Sequence, residues 1–150
     1  MAPIVIACGG FLIAVLWMDL MFDVQVLRHR GSAAPLPEEI LVSIAAYYRR
    51  ATTDAQPMSA LIGVVMVVAI VVLLRQIGSV ETRWLGIISL LFCGPAVGLA
   101  AVRVVPNAVR LGSRRDPAAV QSSLARAICR DHLFCLACVS AVVILQLSPA

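Results

Sequence analysis

Charged side chains are scarce in this chain. Only 13 % of its 150 residues are charged, whereas 61 % are hydrophobic. A soluble globular domain carries about 25 % charged residues and about 45–50 % apolar ones, so this composition excludes a soluble domain. Lysine is absent, and all twelve basic residues are arginines. The net charge of +4 would indicate nucleic-acid binding in a soluble protein. Orientation in a membrane explains the arginines better here, and we expect no nucleic-acid partner.

The sequence also lacks the short motifs of several common chemistries. It has no Gly-rich phosphate loop, no nucleophile elbow and no pair of residues at zinc spacing. No basic segment precedes the first apolar run and no A-x-A-type site follows it, so we expect a retained helix rather than a signal peptide. Cys8 has no obvious partner at its end of the chain's first span, and no disulfide framework is implied.

What the chain does contain is four long apolar runs. A membrane-spanning helix needs about 20 apolar residues. The runs predict an all-α, four-helix transmembrane bundle that forms a single integral membrane domain, with spans at about residues 4–27, 58–74, 84–105 and 131–147. After the first span, Pro37 followed by two glutamates is typical of a helix start. Ile40, Ile44 and Tyr47 then fall on one stripe, which predicts a short amphipathic helix.

The arginines predict the orientation of the bundle. Ten of the twelve lie after the first span or between the third and fourth spans, and only Arg75 and Arg83 lie on the other side. Arginine-rich loops face the cytoplasm. We therefore expect a multi-pass protein of the cell inner (plasma) membrane with both termini on the non-cytoplasmic side. Arg30 belongs to the first of the two arginine-rich segments.

Polar residues near the predicted inner face form a candidate site. Asp19 and Asp23 are four residues apart near the end of the first span, and Arg103, Asn107 and Arg110 share one face of the third. His132 opens the fourth span at the same level. Ionised groups at this depth pair with each other or line a functional pocket. Both interpretations stay open. In either case we predict an ion pair between Asp19 and Arg103.

Cofactor ligands are weaker alternatives at this end. His29 and His132 come from different spans, which leaves axial ligation of a haem open, although such haems sit deeper between helices. His132, Cys135 and Cys138 would be the residues for a copper(I) ion, but cysteine in a membrane helix is more often a small apolar filler. We therefore predict no cofactor and no metal.

Part of the C-terminal third resembles a known family. Pro106 and Asn107 close the third span, Leu124, Ala125 and Arg126 follow, and His132 opens the fourth. This arrangement is similar to the anthrone-oxygenase-like family of small four-helix membrane proteins. The resemblance implies oxygenation of lipophilic aromatic substrates without a recognised cofactor, with Asn107 and His132 as polar signature residues. The sequence departs from the family pattern at Cys135, where arginine is usual, and at Ile128, where tryptophan is frequent.

Two hypotheses of function follow. In the first, the chain is an oxidoreductase or oxygenase acting on a lipophilic small molecule. His132 is then the catalytic base, Asn107 and Arg103 stabilise the enolate-type oxygen, and Asp19 or Asp23 orients the histidine.

In the second hypothesis, the chain is an accessory or structural subunit of a larger membrane complex, whereas under the first it would be a monomer or a small homo-oligomer. Small-residue faces at Gly10 and Ala14, and at Gly94 and Gly98, would allow helices to dock closely. Arginines at the inner face would bind membrane lipid or an acidic partner. A channel or carrier is a weaker hypothesis, because no inverted repeat is visible.

Overall fold

The computed structural model describes residues 1–29, 34–54 and 56–148 and, within them, contains helices and turns without a strand. Arg30 lies outside the described residues. These ranges contain six α-helices, which are in chain order α1 (Ala2–Asp23), α2 (Glu38–Arg49), α3 (Gln56–Ile77), α4 (Arg83–Leu99), α5 (Val105–Gly112) and α6 (Ala118–Leu147). A 3₁₀ turn (Val24–His29) extends α1, and two π-helical turns, Arg50–Asp54 and Ala100–Val104, follow α2 and α4.

In the described part of the chain, four helical segments are long and apolar enough to cross a membrane: Ala2–His29, Pro57–Ile77, Arg83–Gly112 and Ala118–Leu147. The predicted all-α fold with four spanning helices is therefore confirmed. The third and fourth segments extend beyond the predicted spans and contain 30 residues each. At about 1.5 Å per residue they are about 45 Å long, about 15 Å more than the hydrocarbon core of a bilayer.

Glycine permits the closest helix contacts within the bundle. Gly9 of α1 lies against Val139 and Val143 of α6, and a Cβ at Gly86 of α4 would lie 2.9 Å from the backbone nitrogen of Ile77 in α3. Gly10, the position predicted for close approach on α1, has open space around it instead. The difference of one residue arises because the face of α1 that meets α6 is centred on Val5, Gly9 and Leu12.

Buried amides join three spans at the end of the bundle that carries Arg75 and Arg83. The side chains of Gln76 and Gln146 exchange two hydrogen bonds of 3.2 and 3.0 Å, and Gln146 Nε2 also donates to Ser89 Oγ at 2.9 Å. All three residues are buried. Because each amide finds a partner, this network orders α3, α4 and α6 without leaving an unpaired polar group among them.

At the arginine-rich end, α2 packs against α5 and the first part of α6. We call these three segments the cap. Its core contains Leu41 and Ile44 of α2, Leu111 of α5 and Ile128 of α6, all at most 1 % exposed. The amphipathic helix predicted after the first span is thus present. Ile44 of its predicted stripe is fully buried, and Ile40 and Tyr47 are partly buried against the same core. The docking of α2 brings its last turn over the C-terminal end of α1 and over the middle of α6.

Candidate functional site

A buried histidine–carboxylate pair links α1 to α6. His132 Nδ1 lies 2.6 Å from Asp23 Oδ2, and the two residues are 4 % and 0 % exposed. The residues are far apart in sequence but meet because α1 and α6 run antiparallel in contact, with Gly9 opposite Val143 at the other end. Both side chains are buried inside the bundle, where an unpaired ionisable group is costly, so each satisfies the other.

Two tyrosines from α2 complete the pair and extend it to a second carboxylate. Tyr48 donates to Asp23 Oδ1 at 2.7 Å, and Tyr47 donates to Asp19 Oδ1 at 2.6 Å. The ring of Tyr47 also stacks on Phe22, with ring centroids 4.1 Å apart. We call Asp19, Asp23, Tyr47, Tyr48 and His132 the polar cluster. These two tyrosines are the only ones in the chain.

The second ring nitrogen of His132 is not committed. Nε2 lies 3.7 Å from Asp19 Oδ2, a distance longer than a hydrogen bond, and it makes no hydrogen bond to any residue that the structure describes. In the neutral tautomer in which Nδ1–H donates to Asp23, Nε2 carries the lone pair of the ring. A proton accepted at Nε2 would give an imidazolium between two carboxylates.

The polar cluster is most open at Asp19 and Tyr47. The Asp19 side chain is 15 % exposed, whereas that of Asp23 is fully buried. Burial, reinforced by the hydrogen bond to Asp19, raises the pKa of Tyr47 above its ordinary value. Burial and the Asp23 carboxylate also raise the pKa of Tyr48. Both phenols are therefore held protonated, as hydrogen-bond donors to carboxylates.

The structure brings together three of the predicted site residues, Asp19, Asp23 and His132. The predicted Asp19–Arg103 ion pair is wrong. Arg103 lies in the π-helical turn that packs against α6, where its guanidinium is 3.3 Å from Asp131 Oδ2. Asp19 is instead directed at Tyr47 and His132.

The other two predicted residues lie away from the polar cluster. Arg110 forms two hydrogen bonds with Asp116, at 2.7 and 2.8 Å, and lowers the pKa of that exposed carboxyl group. Asn107 is half-buried on α5, and among the described residues no hydrogen bond joins it to His132. The expected grouping of α5 residues with the histidine is therefore not seen.

Between α4 and α6 there is an open groove of ≈ 450 Å³. It is lined by the residues Pro95, Leu99, Arg103, Arg130, Asp131 and Phe134. Asp131 is 3 % exposed, with Arg103 and Arg130 on either side of it at 3.3 and 3.5 Å. We call this the α4–α6 groove. His132 is the next residue after Asp131 but points to α1, so the groove and the polar cluster occupy neighbouring faces of α6.

The alternatives with a metal or haem gain no support from the side-chain geometry. Among the described residues, no group of three or more histidine, cysteine or acidic side chains is arranged to hold a metal ion. Nδ1 of His132 is occupied by Asp23, and the thiol of Cys135 points to the backbone oxygen of Ala96 at 3.5 Å.

Sequence reasoning missed the roles of Tyr48 and Asp131. The sequence pattern assigns Tyr47 to the apolar stripe of the amphipathic helix and gives no separate role to Tyr48. The signal was the adjacent pair of tyrosines in a chain with few aromatic residues. For Asp131, the signal was a carboxylate directly at the start of the last apolar run, where it requires a nearby cation.

Comparisons with protein-family models, with curated proteins and with solved structures each give no match, so the interpretation of this site depends on its own geometry.

Proposed function

We propose that this protein is a small membrane enzyme in which His132 is the general base and a lipophilic small molecule is the substrate. The observation that supports the proposal is the asymmetry of the imidazole. Nδ1 is held by the buried carboxylate of Asp23 at 2.6 Å, while Nε2 is uncommitted beside Asp19. Because the hydrogen bond at Nδ1 fixes the tautomer and the orientation of the imidazole, Nε2 is ready to act as a base before a substrate arrives.

The chemistry begins with removal of a proton from an activated C–H group by His132 Nε2. Asp23 and Asp19 then stabilise the imidazolium that forms, since both carboxylates lie within 4 Å of the ring nitrogens. The substrate is left as an enolate or a related carbanion. Tyr47, at the open side of the cluster, is the phenol nearest to an entering substrate, and we assign it as the donor to the enolate oxygen once its O–H turns away from Asp19 Oδ1.

Oxygenation of that anion needs an electron acceptor, and the proposal names dioxygen. A CH₂ group next to an aromatic ketone would lose a proton to His132, react with O₂ and end as a carbonyl, with water as the second product. This series of reaction steps is the one implied by the resemblance of the C-terminal third to the anthrone-oxygenase-like family. It does not require the enolate-stabilising roles predicted for Arg103 and Asn107, because Arg103 is engaged with Asp131.

The proton-transfer step can be tested without the oxidation step. Purified protein in detergent would be incubated with anthrone in D₂O under anaerobic conditions, and exchange of the acidic protons would be followed by NMR. We expect wild-type protein to accelerate exchange and His132→Gln to lose about 100-fold or more of that acceleration. His29→Gln is the matched control, because His29 lies outside the polar cluster, and it should retain the wild-type rate.

A second measurement, oxygen consumption with the same substrate in air, would test the oxygenase step. Full exchange activity in His132→Gln would contradict the assignment of the base. If wild-type protein accelerated proton exchange but consumed no oxygen, His132 would remain the proposed base and the oxygenation step would be contradicted.

A second candidate function is favoured by one specific observation. Gly94 and Gly98 of α4 form a small-residue face, and a Cβ at either position would have nothing within 4 Å. This face is not used for packing within the described part of the chain. It would suit docking of a helix from a larger membrane complex or from a second copy of the chain. A native gel in mild detergent distinguishes the two functions, since a subunit of a larger complex would migrate as a large hetero-complex, whereas the enzyme would migrate as a monomer or as a small homo-oligomer.

We further propose that the cap faces the cytoplasm and that both termini lie on the other side of the plasma membrane. The cap and its adjoining turns carry most of the arginines, which supports this orientation. The polar cluster would then lie at the level of the inner leaflet, where a lipophilic substrate dissolved in the bilayer could reach Asp19 and Tyr47 from the side.

A further inference from the structure

The α4–α6 groove combines an apolar wall with a charged end. Pro95, Leu99 and Phe134 form the wall, and Arg103, Arg130 and Asp131 form the charged end. We propose that the groove binds an anionic glycerophospholipid whose head group carries a hydroxyl. The phosphate would lie at Arg103 and Arg130, the hydroxyl would donate to Asp131, and an acyl chain would follow the apolar wall.

The depth of the groove in the bilayer fits such a ligand. Arg103 is twenty residues from Arg83, which is about 30 Å along a helix and equals the thickness of the hydrocarbon core. With Arg83 at one membrane surface, Arg103 is at the level of the head groups at the other. Pro95 is two turns back along the same helix, about 12 Å deeper in the acyl region. The apolar wall therefore lies where acyl chains are.

The charges select an anion. Two guanidinium groups face one carboxylate, so one positive charge in the groove remains without an acidic partner among its lining residues. Both arginines are well exposed at the side chain, at 48 % and 71 %. A phosphate diester could thus reach them without displacing the ion pairs to Asp131.

Asp131 adds the preference for a hydroxylated head group. Its side chain is 5 % exposed, and Oδ2 makes no hydrogen bond to any described residue although Arg103 is nearby. A buried carboxylate oxygen without a donor carries a free-energy penalty, which a donor on the ligand would remove. Choline head groups have no such donor, whereas the glycerol head group of phosphatidylglycerol does.

The test is a thermal-unfolding titration of the whole protein in maltoside detergent with four probes. These are phosphatidylglycerol, phosphatidylmethanol (the same charge without the hydroxyl), phosphatidylcholine and free glycerol 3-phosphate. We expect phosphatidylglycerol to raise the melting temperature at the lowest concentration, phosphatidylmethanol to need more, and the other two to have no effect. Stabilisation by phosphatidylcholine at the same concentration, or by glycerol 3-phosphate alone, would overturn the lipid site.

Variants locate the effect. Arg103→Gln should increase the phosphatidylglycerol concentration for half of the effect by roughly tenfold, the usual cost of one charge-assisted hydrogen bond. Arg115→Gln, which removes the same charge from the exposed turn outside the groove, should not. Equal losses in the two variants would show non-specific attraction and overturn the proposal.

Leu99→Trp tests the groove with all its charges in place, in case Arg103→Gln does not fold. It should weaken the effect by filling the wall, whereas Leu91→Trp, on an exposed position of the same helix, should not. A wild-type response in Leu99→Trp would overturn the proposal. His132→Gln should respond like the wild type, because lipid binding here does not depend on the proposed catalysis.

Discussion

The backbone of Gly112 in α5 lies directly against that of Arg49 in α2. A Cβ built on Gly112 would be 2.9 Å from the Arg49 nitrogen and 3.1 Å from its Cα. Arg49 directly follows Tyr47 and Tyr48, which hold the two carboxylates of the polar cluster. The contact between two backbones thus fixes the position of α2 over the site.

Gly112→Ala should therefore destabilise the cap, because backbone atoms cannot move aside as a side chain can. We expect a loss of about 1–3 kcal/mol in unfolding free energy, the usual cost of overpacking. Thermal unfolding in detergent would measure it. Gly98→Ala is the control, since a Cβ there meets nothing within 4 Å. Equal melting temperatures for the two variants would show that α2 does not depend on this approach.

The partner of Arg103 can be tested by a double-mutant cycle. Arg103→Gln and Asp131→Asn should each lower the melting temperature, and their combination should lose less than the sum. Because the arginine is half exposed, we expect a coupling of about 1 kcal/mol. The cycle of Arg103→Gln with Asp19→Asn should be additive. Coupling to Asp19 and none to Asp131 would contradict the observed geometry.

The tyrosines should titrate abnormally. An isolated tyrosine has a pKa of about 10. The folded protein binds these phenolic protons more tightly than the unfolded chain does, since the pKa values of Tyr47 and Tyr48 are raised. Stability should therefore be unaffected well below pH 10 and fall as the pH rises above about 10, where the unfolded chain loses its phenolic protons first.

Ultraviolet absorbance of tyrosinate measures this directly, because the chain has no other tyrosine. We expect no tyrosinate signal at about pH 10 in folded protein, and its sudden appearance together with unfolding at higher pH. Tyr48→Phe should reduce the loss of stability in alkali. Smooth ionisation of both phenols near pH 10 in folded protein would show that the tyrosines are not held by Asp19 and Asp23.

The orientation is tested by labelling introduced cysteines. Ser113 and Val80 are exposed in the turns at opposite ends of the bundle, and the five native cysteines are buried, which keeps the background low. Ser113→Cys should react only with a reagent supplied on the cytoplasmic side. Val80→Cys should react only from outside. The reverse pattern would place the cap outside the cell.

The spans and half of the site could be predicted because both follow from local periodicity. Apolar run length determines spanning helices, and a spacing of four residues places Asp19 and Asp23 on one face. Because the first and fourth spans cross the membrane in opposite directions, the start of the fourth span, with His132, lies at the same end of the bundle as Asp19 and Asp23. These features require no knowledge of how the helices rotate about their axes.

The rest depends on rotation and docking, which composition does not encode. The π-helical turn Ala100–Val104 lies after Pro95 and holds Arg103 beside Asp131 of α6, whereas depth in the membrane, the basis of the predicted ion pair, favours Asp19. Tyr48 meets Asp23 only because α2 folds back over the bundle against α5. Such a contact depends on the close approach at Gly112, and a single glycine at the end of a helix is equally typical of a simple stop.

The separation of 109 residues between Asp23 and His132 has a consequence for biogenesis. Spans enter the bilayer in the order of synthesis, so α1 arrives with two carboxylates well before α6 brings the imidazole. Until then Asp19 and Asp23 must stay at the lipid–water boundary, take up protons, or be sheltered by the insertion machinery. Insertion of the last span is then the event that buries the acidic end of α1 against His132. A chain truncated before α6 should therefore be degraded early by membrane quality control.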